Sequence, residues 1–143
     1  MQEPSASYCH DIAVDPAAKV CLRGSSDTLV DVVDVGSGTR VALHETILSF
    51  GGLRLAISDD TRHFIAGSWG NPRGGGVACY ETTSGKMVWH NRKLNRPQIL
   101  GFESTTGRWF VSLDRGGTFF VERQSGEPVV TMRGSLREKL GND

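Results

Sequence analysis

Long apolar runs are missing from this chain: none approaches the ~18 to 20 consecutive apolar residues that a membrane span requires. Met1 to Ser5 has neither a basic stretch nor an apolar one, so no secretory signal is expected. An excess of one charge is missing too. Sixteen Lys and Arg balance 16 Asp and Glu over 143 residues, which argues against a sequence-independent nucleic-acid binder, whose affinity rests on phosphate neutralisation. Cysteine is scarce and odd in number, at Cys9, Cys21 and Cys79. Without an export signal these read as reduced thiols in a cytoplasmic protein rather than as a disulfide framework. Helical periodicity is also nearly absent. What remains is 38% apolar and 22% charged residues, which excludes a disordered chain and suits one packed domain. Eighteen Gly against five Pro point to tight turns between short strands.

Alternation with period two appears in short runs bounded by turn residues. The clearest four are Leu53 to Ser58, His63 to Trp69, Gly76 to Thr82 and Lys86 to His90. Gln98 to Glu103, Arg108 to Asp114, Thr118 to Arg123 and Pro128 to Met132 repeat the pattern. Before them, His10 to Val14, Lys19 to Arg23, Thr28 to Val35 and Arg40 to His44 fit it again. A Ser-Gly pair ends the third strand of each unit, at Ser37-Gly38, Ser84-Gly85 and Ser125-Gly126, and a Val follows at near-constant offset (Val41, Val88, Val129). Three units of about 40 to 45 residues with four strands each have the period of β-propeller blades. The expected fold is all-β, a partial propeller of three four-stranded antiparallel blades at about 9–45, 53–91 and 97–133. Short polar tails flank them, the last reading as a charged helical turn over Ser135 to Asp143.

The segment Leu55 to Ser68 resembles the first two strands of a WD40-like or quinoprotein-like propeller repeat, and Ala78 to Trp89 resembles the other two. No Trp-Asp dipeptide occurs, and only the middle unit has the outer-strand Trp, Trp89. The pattern places Val14, Ile57 and Phe102 on inner strands and Leu22, Ile65 and Phe110 on the strands beside them, all as core. Val32, Phe120 and Val130 are expected on the outward faces of the end blades. Closed propellers use four to eight blades. Three blades leave two faces uncovered, so a homodimer, or failing that a heteromeric assembly, is expected to complete the ring.

Chemistry-bearing motifs are few. His10, His44, His63 and His90 have no partners at zinc-ligand spacing. There is no nucleophile elbow, P-loop or dinucleotide fingerprint, and Gly74-Gly75-Gly76 precedes a strand rather than a helix. No metal, cofactor or catalytic residue is expected. One cluster stands out. In a propeller, the second-to-third-strand loop and the blade-to-blade loop emerge on one face. In the middle unit these carry Trp69, Asn71 and Arg73, and Arg92, Lys93 and Arg96. Arg and Trp are enriched at binding hot spots, and local positive charge steers an acidic partner. The bland alternative is a Trp capping the blade edge beside a solvated basic face.

These features suggest a non-enzymatic, cytoplasmic protein-interaction module, such as a small inhibitor or immunity-type protein or an assembly subunit, binding an acidic protein surface. The other readings are a small-ligand binder, for example of carbohydrate, or an enzyme, using the channel of an oligomeric ring, and a functionless remnant of a longer propeller.

Overall fold

The computed structural model describes residues 11–24, 28–46, 53–68 and 75–132. The first blade comprises β1 (Ile12–Val14), β2 (Val20–Gly24), β3 (Leu29–Asp34) and β4 (Thr39–Glu45). The second comprises β5 (Leu53–Ile57), β6 (His63–Ser68), β7 (Gly76–Glu81) and β8 (Met87–Asn91). The third comprises β9 (Pro97–Glu103), β10 (Arg108–Leu113), β11 (Thr118–Val121) and β12 (Pro128–Met132). Each is a sheet of four antiparallel strands in sequential order. The innermost strands β1, β5 and β9 lie side by side, so the blades stack in chain order around one axis. The Ser135 to Asp143 tail lies outside the described residues.

The repeated Ser-Gly pairs are a structural device. In each, the Gly N–H donates to the carbonyl four residues earlier: Gly38 to Asp34 (2.8 Å), Gly85 to Glu81 (2.9 Å) and Gly126 to Glu122 (3.0 Å). These glycines have φ of 71°, 75° and 76°, the left-handed region that a Cβ disfavours. The serine oxygen accepts the N–H two residues on, from Thr39, Lys86 and Glu127. The Val that follows is skipped by the pairing register in all three outer strands. Val32 pairs with Ala42 and Val33 with Arg40; Cys79 with Trp89 and Tyr80 with Met87; Phe120 with Val130 and Val121 with Pro128. Val41, Val88 and Val129 are therefore bulge residues, and a bulge increases strand twist.

Two apolar layers hold the blades together. Leu22, Val30 and Val32 pack against Leu53, Leu55, Ile57, Phe64 and Tyr80 between the first and second blades. Ile65, Val77, Cys79 and Trp89 pack against Trp109, Val111, Leu113 and Val121 between the second and third. Burial pushes the Cys79 thiol up to about 12, so it serves as a small apolar residue there. Leu22, Ile57 and Ile65 are core as expected, and Phe102 packs on the second layer partly buried. Three placements differ. Val14 is 48% exposed and Phe110 half-buried, because both point away from the second blade. Val32 is 2% exposed, on the covered face rather than the outward one. Phe120 does lie outward, edge-on to Phe110 with centroids 5.6 Å apart; the Val130 side chain lies outside the described residues.

Ile65→Ala should cost about 2 to 5 kcal/mol, as large-to-small core changes do. Val14→Ala, on an open face, should stay within about 0.5 kcal/mol. Urea denaturation midpoints of the two variants check the assignment of faces.

Candidate functional site

The blade-to-blade segment after β8 is held at three points. The Asn91 side chain accepts the Lys93 N–H at 3.0 Å and donates to the Gly126 carbonyl of the third blade at 2.8 Å. Leu94, 2% exposed, is set into the second apolar layer. Arg96, at φ 55°, offers its carbonyl to the Asp114 N–H at 3.0 Å. Pinned this way, Arg92, Lys93 and Arg96 all point exposed side chains to solvent. Arg92 and Lys93 line a cleft of about 510 Å³ with His90, Asn91, Ser125, Glu127 and Pro128, where β8 meets the last turn of the third blade. Arg96 is not among the residues lining it. Trp69, Asn71 and Arg73 lie outside the described residues. The strand that follows their loop does reach this region: His90 Nε2 donates to the Gly75 carbonyl at 3.1 Å, and Gly76 lies directly against Asn91 and Arg92.

Directional contacts join each blade to the next, and sequence reading did not find them. His44, from β4, donates through Nε2 to the Thr82 carbonyl at 2.7 Å, and its ring lies over Gly85. Trp89, from β8, donates through Nε1 to the Arg123 carbonyl at 2.8 Å, and its ring lies over Gly126. In both, the acceptor is the carbonyl three residues before the turn glycine. An added Cβ on either glycine would overlap the ring.

A second link spans the same blades. Arg123, from the β11–β12 turn, donates to Asp60 Oδ1 at 2.7 Å and to His63 Nδ1 at 2.9 Å, and stands 5.3 Å above the Phe102 ring. Burial pushes the Asp60 carboxyl up, but the Arg123 guanidinium, the Ser58 hydroxyl and the Arg62 N–H outweigh it and hold it well below the usual carboxylate range. Burial, reinforced by the Arg123 charge, lowers the His63 pKa. An imidazole that accepts from a guanidinium at Nδ1 is neutral, with its proton on Nε2. That lone pair is already used, so the cluster fastens blades and does not present a base. Of the two adjacent turn carboxylates, Asp60 is therefore tied to the third blade, while Asp59 is exposed.

The first blade carries a third charged group. Asp31, 2% exposed, accepts Arg23 Nη2 at 2.8 Å and Arg40 Nη1 at 3.3 Å on the face turned away from the second blade. The visible signal was an acid inside the run Leu29-Val30-Asp31-Val32-Val33. Among the described residues no group of three or more His, Cys, Asp or Glu is arranged to hold a metal ion, and no helix is long and apolar enough to cross a membrane.

Three stacked blades of this form make the chain a partial β-propeller, and comparison with solved structures, WD40 propellers among them, agrees on that fold. It superimposes on the structure of U3-55K with a TM-score of 0.73, at 14% identity, over 92% of this chain and 41% of that one. The WD40 repeats of RRP9 give 0.72 at 14% identity, over 92% and 40%. Hydrazine synthase of Kuenenia stuttgartiensis gives 0.70 at 9% identity, over 94% and 40%. Likeness at such identities is likeness of fold. The chain spans about two fifths of the length of these three. No protein-family model and no curated protein matches it.

The Asp60–His63–Arg123 link makes folding pH-dependent with a definite sign. His63 stays neutral in the fold, whereas the unfolded chain takes up a proton below about 6.5. Its contribution is present above that value and is lost as pH falls towards the lower folded value. Asp60 adds a further loss in acid, below the ordinary value of 3.8. Urea midpoints should fall between about pH 7.5 and pH 5.5, and His63→Asn should flatten part of that slope. Parallel slopes for the two proteins would contradict this.

Proposed function

We propose that the chain is a non-enzymatic, cytoplasmic protein-interaction module that binds an acidic protein surface through the basic segment after β8. The observation that carries this reading is the pinning of Arg92 and Lys93 beside a 510 Å³ cleft by Asn91 and the buried Leu94. Basic side chains on an ordered segment lose less freedom on binding than the same residues on a loose loop. Guanidinium groups offer large contact area together with directional bonds to carboxylates. Glu127 in the cleft wall adds an acceptor, so the favoured partner is acidic but also brings a donor. WD40-like propellers commonly serve as interaction scaffolds, and both masking of a partner and assembly suit such a surface. The inner-strand cavity of about 280 Å³ has two polar side chains in its lining, Asp59 and Ser104, beside Ile12, Val14, Leu100 and Phe102, a smaller convergent polar set than a carbohydrate site uses.

Binding of poly-L-glutamate at low salt tests the reading. The triple variant Arg92→Glu, Lys93→Glu, Arg96→Glu should bind at least about tenfold more weakly, with an unchanged unfolding transition, and the wild-type affinity should fall steeply with salt. Undiminished binding by a folded triple variant would refute it.

A further inference from the structure

We propose that the outward face of the first blade is a docking surface for a β-blade of a partner protein, one whose outer strand brings a Trp or His ring N–H to the Val35 carbonyl and lays the ring over Gly38. This surface is separate from the basic segment after β8 and does not depend on it.

Three turns share one geometry, with glycine φ of 71°, 75° and 76°. Two of them receive a ring from the preceding blade, through the Thr82 carbonyl over Gly85 and the Arg123 carbonyl over Gly126. The first blade has the same receptor at Val35 and Gly38. No described atom lies within 4 Å of a Cβ built on Gly38, and Val35 is 41% exposed. The rest of the face fits a blade as well. Ile12 and Val14, 54% and 48% exposed, occupy the inner-strand positions that Leu55 and Ile57 hold in the second blade, where the first blade covers them. Receptor and apolar floor therefore continue the existing blade-to-blade interface.

A second copy of this chain is a poor occupant. The donors His44, Trp89 and Asn91 stand opposite Val30, Cys79 and Val77 in the pairing register. The matching positions of the third blade are Val130, opposite Phe120, and Met132, opposite Thr118. Neither residue has a side-chain N–H. Register also places Arg23 and Asp31 where the second blade has Ala66 and Ala78. Stacking a second copy here would lay Phe110 and Phe120 over the Arg23–Asp31–Arg40 cluster, desolvating charges against apolar rings. Arg40, 36% exposed, instead calls for a carboxylate or amide acceptor on the partner blade.

Supplying the missing donor tests the receptor. In sedimentation equilibrium at tens of micromolar, the unmodified full chain is expected to be a monomer, and Val130→Trp should self-associate at least tenfold more tightly. Adding Gly38→Asn should reverse that gain, because Asn tolerates the turn's positive φ while its side chain occupies the ring's place. Where Val130→Trp disturbs the unfolding transition, Met132→His, at the register of His44, supplies an equivalent donor. Failure of both donors to tighten association in folded protein overturns the proposal. So does a gain that survives Gly38→Asn. An unmodified chain that is already a stable dimer makes a second copy the occupant and overturns it too.

Discussion

The contact on which this architecture depends is a ring N–H of one blade reaching a turn carbonyl of the next, with the ring lying flat over a glycine. Apolar burial between blades is large but non-directional. By itself it would let neighbouring sheets slide and rotate with little change in buried area. A hydrogen bond of 2.8 Å from Trp89 to the Arg123 carbonyl removes that freedom, because a buried indole N–H left without an acceptor is costly. His44 does the same at the preceding junction with a bond of 2.7 Å. The glycine is required twice over, for its positive φ and for the room above its Cα.

The bulges explain how outer strands present these rings. Val41, Val88 and Val129 each interrupt the ladder a few residues after the turn. The added twist swings the outer strand across the blade edge towards its neighbour. In the second blade this carries Trp89 and Asn91 together onto the next turn, one to the Arg123 carbonyl and the other to Gly126. The same crossing brings Arg92 and Lys93 beside Ser125, Glu127 and Pro128, so the cleft is a by-product of the junction. Blade fastening and the basic surface are thus built from one strand end.

Much of this organisation was legible in the sequence, because Ser-Gly turns and alternating strands are local features. The strand limits agree with the observed ones to within two residues. The faces of Val14, Phe110 and Val32 were not legible. Both faces of a propeller blade are apolar, so alternation separates two sides without saying which has a neighbour. Arg92 and Lys93 could be chosen from composition, but their cleft could not, since its far wall belongs to the third blade. The Asp60–Arg123 bond joins residues 63 positions apart, a distance over which sequence pattern is silent.

The outward faces of the first and third blades are unlike. The third blade's outward face carries the half-buried Phe110–Phe120 pair beside a more open ion pair, Arg108–Glu122 at 3.4 Å. The first ends in a nearly buried carboxylate held by two guanidiniums among exposed Ile12, Val14 and Leu43. Were both ends apolar and complementary, head-to-tail stacking would propagate, since a heterologous interface that does not close makes filaments. A charge cluster inside one face penalises that contact, because apolar rings laid on it cannot replace the lost solvation. Removing Asp31 alone would not simply open the face to stacking. It would leave Arg23 and Arg40 facing each other without their shared acceptor, so tolerance of an apolar neighbour requires changing all three residues together.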